Sequence, residues 1–170
     1  MPELPGVYLA GPDVFFPDID ARALAQKALC RELGLRPLHP VDQPELRAET
    51  IFRNNLALLR EAAGVVANLD PFRGAEVDSG TAFEVCYAVA LGKPVVGYVT
   101  ADEDLRRRVE RLQGPLWRDP VRGVWCDGRG DLVEDFGLRA NLMLAVPCEI
   151  VVGDAATALR RLCERLAPTT

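Results

Sequence analysis

The sequence has few histidines, no basic stripe, no closely paired cysteines and no long apolar run. Its 170 residues include a single histidine, and 20 basic side chains stand against 25 acidic ones, for a formal net charge of -5. The arginines are scattered or lie beside acids, so there is no basic stripe to attract phosphates. We therefore expect no nucleic acid partner.

The five cysteines form no Cys-x-x-Cys pair, and their odd number does not suit a framework of disulfides. Neither a thiolate metal site nor an oxidising compartment is indicated. The first residues do not combine a basic start with an apolar core, and no apolar run approaches the ~20 residues of a membrane span. These absences predict a cytoplasmic protein without membrane contact.

What is present is an alternation of strand-like and helix-like segments. Short apolar runs predict five strands, at residues 6–11, 35–40, 64–70, 93–99 and 148–153. Helical spacing predicts helices at residues 18–34, 44–62, 78–92, 103–114, 138–145 and 154–167. The segment 115–131 is predicted to be irregular, with an Asp-Gly hairpin turn in "CDGRGD".

This alternation predicts the fold, because right-handed crossovers between parallel strands place helices on both faces of a sheet. We expect a three-layer, flavodoxin-like α/β fold with a five-stranded parallel sheet. The length suits one domain, spanning residues 1–170. In such sheets, ligands bind beyond the carboxyl ends of the strands, where the strand order reverses.

Acidic side chains recur at those strand ends and in the helix that follows the third strand. They are Asp13, Asp42, Asp70, Asp78 and Glu84. Glu84 is the only charged side chain in the run 79–92, which is otherwise small, apolar or aromatic. The sequence therefore predicts an acidic site at the carboxyl edge of the sheet.

The acids also have structural interpretations. Thr81 and Glu84 fit a capping box, in which Glu84 would only satisfy a backbone donor at the helix N-terminus. Asp78 or Ser79 can equally cap this helix, and Asp70 precedes a proline in an ordinary turn signal. Spacing alone leaves these interpretations of the acids as open as the catalytic ones.

Other polar side chains are open to similar structural interpretations. Tyr8 alternates within the first strand, as a core residue does. Asn54 and Asn55 lie in a predicted helix, where they can simply face solvent. His39 precedes a proline in a loop, and a lone histidine is a weak catalytic signal.

Three segments taken together favour catalysis: "VYLAGPDVFFPD", "NLDPFRGAEVDSGTAFEVCYAVALGKPVVGY" and "GLRANLMLA". They resemble the nucleoside 2-deoxyribosyltransferases, and the resemblance extends over residues 7–145. It implies that Glu84 is the nucleophile and that Tyr8 orients it. It also implies that Asp70 and Asp78 contact the nucleobase or assist its protonation.

The resemblance further implies a homo-oligomer whose active sites are shared, with Asn141 and Met143 reaching the site of a neighbouring subunit. The remaining substrate-binding residues that we expect follow the first two strands, and they are Gly11, Asp13, Phe16 and Gln43. One departure is Cys86, where the family often has glycine, which bears on packing beside the nucleophile.

The residue types suit base exchange on 2'-deoxynucleosides. Keeping the β anomer needs two inversions, hence a carboxylate that forms a glycosyl-enzyme and is displaced by a second base. Glu84 would supply that carboxylate, and Asp70 or Asp78 would protonate the departing base. The substrates would be 2'-deoxynucleosides and free nucleobases. No metal or redox cofactor is expected, and no Gly-rich phosphate loop is present.

Two alternatives remain. A deoxynucleoside 5'-monophosphate N-glycosidase would need phosphate-binding groups, whereas the first loop reads "AGPDVFFPD". A receiver-like signalling module would use Asp70 as its phosphoacceptor. Against this second alternative, only one acid, Asp13, follows the first strand, where a metal-binding pair would be expected.

Overall fold

The computed structural model describes residues 3–42 and 47–167. Its central sheet has five parallel strands, as the sequence predicts. Numbered along the chain, they are β1 (Gly6–Ala10), β2 (Arg36–Leu38), β3 (Gly64–Asn68), β4 (Val95–Val99) and β8 (Glu149–Val152). Their spatial order is β2-β1-β3-β4-β8. The order reverses between β1 and β3, and in sheets of this kind the crevice that binds ligands lies at the carboxyl ends of those two strands.

Helices cover both faces of the sheet, which confirms the three-layer prediction. They are α1 (Ile19–Glu32), α2 (Ala48–Glu61), α3 (Ser79–Ala90), α4 (Leu105–Gln113), α5 (Leu142–Ala145) and α6 (Ala155–Leu166). Alternate side chains of β1 show how the layers form. Tyr8 and Ala10 pack with α2 and α3, whereas Val7 and Leu9 pack with α1 and α6. Within the described residues, no helix has the length and apolar character needed to cross a membrane.

The segment 115–131, which is predicted to be irregular, contains two strands of a second, small sheet, and the third strand follows directly after it, which corrects that prediction. The antiparallel strands of this sheet are β5 (Trp117–Arg118), β6 (Trp125–Cys126) and β7 (Leu132–Val133). Strands of two residues are too short to show a period of two in sequence. The predicted turn in "CDGRGD" does join β6 to β7, where the Asp127 carboxylate accepts the backbone N–H groups of Arg129 and Asp131 at 2.9 Å.

The helix predicted over residues 138–145 is shorter in the structure and begins at Leu142. Its start is fixed by two acceptors. The Asn141 side chain accepts the backbone N–H of Met143 at 3.0 Å, and the Glu134 carboxylate accepts the N–H of Leu142 at 2.9 Å. These bonds satisfy donors that a helix N-terminus leaves unpaired.

The loop between β3 and α3 begins at Asp70 and ends at Asp78. A bridge pairs Pro71 with Val77, and the backbone N–H of Phe72 donates to the carbonyl of Glu76 at 2.9 Å. The loop is therefore hairpin-like, and its two ends lie side by side. It returns the chain to the carboxyl edge of the sheet, so both aspartates flank the crevice.

Candidate active site

Glu84 lies on the face of α3 that covers the sheet, half-buried against β1. The Tyr8 hydroxyl donates a hydrogen bond to Glu84 Oε1 at 2.6 Å, and the Tyr8 side chain has no solvent exposure. Val85 and Ala88 of the same helix are buried in the core that contains Tyr8. The packing of α3 on β1 therefore brings the carboxylate onto the phenol.

The capping-box interpretation of Glu84 is wrong in the structure. Helix α3 begins at Ser79, and its N-cap is Asp78, which accepts the backbone N–H of Thr81 at 2.9 Å and its hydroxyl at 3.0 Å. The alternative in which Asp78 caps the helix is confirmed. Because Asp78 already satisfies the first turn, Glu84 is left for contacts with the sheet and with α2.

Asn55 of α2 is a site residue that the sequence interpretation missed. Its amide Nδ2 donates to Glu84 Oε1 at 3.4 Å, whereas the sequence suggested a solvent-facing position. Asn55 lies four residues before Leu59, which is fully buried, so the two side chains share a helix face. That spacing is the signal that could have found it.

The environment of Glu84 raises the pKa of its carboxyl group to about 7. Burial is the main cause and the nearby charge of Asp78 adds to it, whereas the hydrogen bonds from Tyr8 and Asn55 oppose the shift. Burial and the Glu84 charge also raise the pKa of the Tyr8 hydroxyl, so the phenol remains a donor. Both donors bind Oε1, and they leave Oε2 for another partner.

Asp70 is held at the other end of the β3–α3 loop. Its Oδ1 accepts the backbone N–H of Thr100 at 2.8 Å and the Thr100 hydroxyl at 3.1 Å. Its own N–H donates to Oδ1 of Asn68 at 3.1 Å. These bonds tie Asp70 to the carboxyl ends of both β3 and β4.

Asp13 and Gly11 form the loop that follows β1. Asp13 is buried, and its Oδ2 accepts from Nδ2 of Asn68 at 3.2 Å. A Cβ on residue 11 would lie 2.6 Å from this oxygen and 2.9 Å from the Asn68 Cβ. Glycine is therefore required for the loop to approach β3 so closely. Both residues support the site, and their contact with substrate stays a prediction.

Phe16 lies in an aromatic cluster that joins the loops after β1 and β3. Its ring meets Phe72 edge-on, with centroids 6.1 Å apart, and Phe15 stacks on Phe72 at 5.3 Å. The guanidinium of Arg22 lies 4.8 Å from the Phe16 centroid, and that of Arg73 covers Phe72 at 4.7 Å. The cluster therefore packs the loop after β1 against the loop after β3.

The sequence resemblance predicts a glutamate oriented by a tyrosine and accompanied by two aspartates, and the Glu84–Tyr8 hydrogen bond, with Asp78 and Asp70 at the two ends of the β3–α3 loop, fits that arrangement. The profile of the nucleoside 2-deoxyribosyltransferase family matches residues 7–143. The chain belongs to this family. A protein from Schizosaccharomyces pombe that has no assigned function is 32% identical over 143 residues, which cover 78% of this chain and 68% of that protein.

Solved structures agree with the family assignment. A 2-desoxiribosyltransferase from Leishmania mexicana is 32% identical with a TM-score of 0.78, over 94% of this chain and 97% of that one. A CMP N-glycosidase from Clostridium botulinum has a TM-score of 0.50 at 14% identity, over 92% and 97% of the two chains. This second likeness shows the fold alone. Membership of the deoxyribosyltransferase family replaces the receiver-like interpretation of Asp70.

Two further acidic or amide residues predicted from the sequence, Asp42 and Gln43, have no described contact with Glu84. Gln43 lies outside the described residues. Asp42 is paired with Lys27, beside a cleft of about 400 Å³ that is also lined by His39 and Asn54. This cleft flanks the end of β2.

Asn141 and Met143 make no bond to Glu84 of their own chain among the described contacts. The Asn141 amide donates to Glu134 Oε1 at 2.7 Å, and Met143 is 66% exposed. Their role in a neighbouring subunit stays a prediction. Cys86 is exposed on α3, so its thiol lies on the outer side of the helix and does not crowd the nucleophile.

Proposed function

We propose that this family member exchanges the purine or pyrimidine base of 2'-deoxynucleosides, with retention of the β anomer, through a covalent deoxyribosyl-Glu84 intermediate. The observation that carries the proposal is the 2.6 Å hydrogen bond from the buried Tyr8 hydroxyl to the Glu84 carboxylate. A half-buried carboxylate held by a phenol at the crevice of a parallel sheet is a suitable nucleophile. Its support from Asn55 is consistent with the same role.

In the first half-reaction, Glu84 Oε2 attacks C1' of the sugar while the bond from C1' to the base nitrogen breaks. The electron pair of that bond stays with the base, and an aspartic acid, Asp70 or Asp78, donates a proton to a ring nitrogen. In the second half-reaction, a nitrogen of the incoming base attacks C1', Glu84 departs and the aspartate regains a proton. Two inversions retain the β configuration.

Tyr8 and Asn55, the two donors to Oε1, have a specific role in this mechanism. They stabilise the negative charge that Glu84 carries before attack and regains when the intermediate breaks down. They also fix the plane of the carboxylate, so Oε2 remains directed at the substrate. No step requires a metal or a redox group. The enzyme would serve nucleoside salvage in the cytoplasm.

A homo-oligomer with shared sites is part of the proposal. Met143 lies close in sequence to other apolar side chains on the surface around α5, and Phe136 and Val146 are 66% and 72% exposed. Exposed apolar side chains in one region are typical of an interface. A second copy of the chain would cover them and would bring Asn141 and Met143 to the site of its neighbour.

The alternative activity is hydrolysis of a deoxynucleoside 5'-monophosphate, in which water would replace the second base. The fold shared with the CMP N-glycosidase favours keeping this candidate. The glycosyl-Glu84 intermediate is compatible with either acceptor. The two activities differ in the final step and in the need for a phosphate on the substrate.

The test is incubation of deoxyinosine with adenine in buffer free of phosphate, followed by chromatography of the products. We expect deoxyadenosine and hypoxanthine in equal amounts. A parallel reaction contains deoxyinosine 5'-monophosphate without adenine. Free hypoxanthine from the monophosphate, with no deoxyadenosine from the first mixture, would contradict the transferase and support the N-glycosidase.

A further inference from the structure

Asp70 and Thr100 are joined by two hydrogen bonds that end on the same oxygen. The backbone N–H and the hydroxyl of Thr100 both donate to Asp70 Oδ1, at 2.8 and 3.1 Å. Asp70 follows the end of β3 and Thr100 follows the end of β4, so the bonds connect neighbouring strands across 30 residues of sequence. These two bonds hold Asp70, which under the proposed function is one of the two candidates for protonating the base.

The same pattern occurs at Asp78 with Thr81 and at Asp154 with Thr157, where it caps a helix. In those pairs the threonine is three residues after the aspartate and lies in the first turn. Thr100 begins no helix, because α4 starts at Leu105. Helix capping therefore does not account for its two bonds to Asp70.

Asp70 is also held from the opposite side. Its backbone N–H donates to Oδ1 of Asn68 at 3.1 Å, and the Asn68 amide donates to the buried Asp13 at 3.2 Å. The backbone of Asp70 is thus fixed by β3 and its carboxylate by Thr100. Both hydrogen bonds to the carboxylate end on Oδ1, so among the described contacts Oδ2 accepts none and can meet a ligand.

We infer that Thr100 is a positioning residue that makes Asp70 Oδ2 the oxygen that exchanges a proton with the nucleobase. This inference rests on the proposed function. Two donors occupy Oδ1, so a proton on the carboxyl group sits on Oδ2. As the bond from C1' to the base breaks, this proton passes to a ring nitrogen and the bond's electron pair stays on the base. The incoming base returns a proton to Oδ2 when its nitrogen bonds to C1'.

The test compares Thr100→Val, which removes the hydroxyl and keeps the branched shape, with Thr100→Ser, which keeps the hydroxyl. Each variant is assayed with deoxyinosine, whose base must be protonated to leave, and with 7-methyl-2'-deoxyguanosine, whose base already carries a positive charge. We expect Thr100→Val to slow the deoxyinosine reaction about tenfold, from the loss of one hydrogen bond to a charged group. The methylated substrate should react at nearly the normal rate, and Thr100→Ser should restore the deoxyinosine rate.

The matched control is Thr157→Val, which removes a hydroxyl from the same pattern at Asp154, at the start of α6. It should leave both rates unchanged. Urea unfolding of every variant establishes that the fold is retained. Equal slowing of both substrates by Thr100→Val, or no slowing of either, would overturn the positioning role.

Assaying Asp70→Asn with the same two substrates distinguishes a failure of the role of Thr100 from a failure of the role that the proposed function gives Asp70. Selective slowing of deoxyinosine by Asp70→Asn, on the order of 100-fold, together with a non-selective Thr100→Val, would overturn only the role of Thr100. If Asp70→Asn slows both substrates equally or slows neither, Asp70 does not deliver the proton. That result would overturn the role of Asp70 and the role of Thr100 with it.

Discussion

At the scale of single residues, the central feature is a carboxylate whose two donors share one oxygen. Tyr8 and Asn55 come from different elements, β1 and α2, and both bind Glu84 Oε1. Burial raises the pKa of Glu84 to about 7, so the charged form is only partly populated near neutral pH. The hydrogen bonds from the two donors lower the pKa of Glu84 and so favour the ionised form that can act as the nucleophile.

This balance predicts a pH dependence. Only ionised Glu84 can attack, so kcat/KM for deoxyinosine should rise with pH along a limb whose midpoint is about 7. Asn55→Ala removes a donor that favours the charged form, so the pKa of Glu84 rises and the midpoint moves to higher pH. Initial rates measured across pH for both proteins give the two midpoints.

Asn54→Ala is the matched control for this profile, because Asn54 lines the cleft beside β2 and adjoins Asn55 in sequence. Its midpoint should equal that of the unaltered protein. An Asn55→Ala profile that coincides with the Asn54→Ala profile would show that the 3.4 Å contact has no influence on the nucleophile.

At the scale of elements, the strands and helices that position the site were predictable, and the contacts between elements were not. Strands β1 and β4 are apolar runs of five residues, each preceded by a proline, and β3 has the same character up to its last residue, Asn68. Helical spacing from the buried Leu59 can indicate that Asn55 faces inward, but it does not name the partner, because Asn55 meets Glu84 across 29 residues and Thr100 meets Asp70 across 30. The role of Tyr8 was expected from the family resemblance, since its position in the strand indicates only a core residue.

The loop after β1 gives a prediction at this scale. Gly11→Ala would place a methyl group 2.6 Å from the Asp13 carboxylate and 2.9 Å from Asn68, so the loop must move away from β3. We expect a loss of about 1–3 kcal/mol in the free energy of unfolding. A fall in base exchange should accompany it, because Asn68 also holds Asp70. Urea unfolding and the deoxyinosine assay measure the two effects.

Gly128→Ala is the control, since a Cβ there has no neighbour within 4 Å among the described residues. Gly128→Ala should change neither the free energy of unfolding nor the rate of base exchange appreciably. Equal stability and activity of the Gly11→Ala and Gly128→Ala proteins would mean that the close approach of the first loop to β3 is not needed.

At the scale of the whole molecule, the proposed oligomer determines whether the site is complete. In a single chain, the partner of the Asn141 amide is Glu134 and Met143 is largely exposed. The fold of one subunit was predictable because periodicity and strand order are properties of one chain. Sharing of sites depends on surfaces of two chains, so the sequence indicated it only through family resemblance.

Complementation tests the shared site. Glu84→Ala and Asn141→Ala proteins, each expected to be nearly inactive, are unfolded together and refolded. Each mixed dimer then has one site with both defects and one with neither, so activity should return to roughly a quarter of the unaltered level by symmetry. Met143→Ala in place of Asn141→Ala repeats the test without disturbing the cap of α5.

A mixture of Glu84→Ala with Glu84→Gln is the control, because every site in it lacks the nucleophile. It should show no recovery. If the mixture with Asn141→Ala also shows none, although mixed dimers are detected by native mass spectrometry, the sites are not shared across subunits.

The most direct test of the covalent intermediate is mass spectrometry of the enzyme quenched in acid during turnover of deoxyinosine without an acceptor base. We expect one added deoxyribosyl group on the tryptic peptide 74–106, located on Glu84 by fragmentation. Glu84→Gln protein treated in the same way should carry no such group. A fully active enzyme with no adduct on Glu84, or with the adduct on another residue, would exclude the covalent deoxyribosyl-Glu84 intermediate.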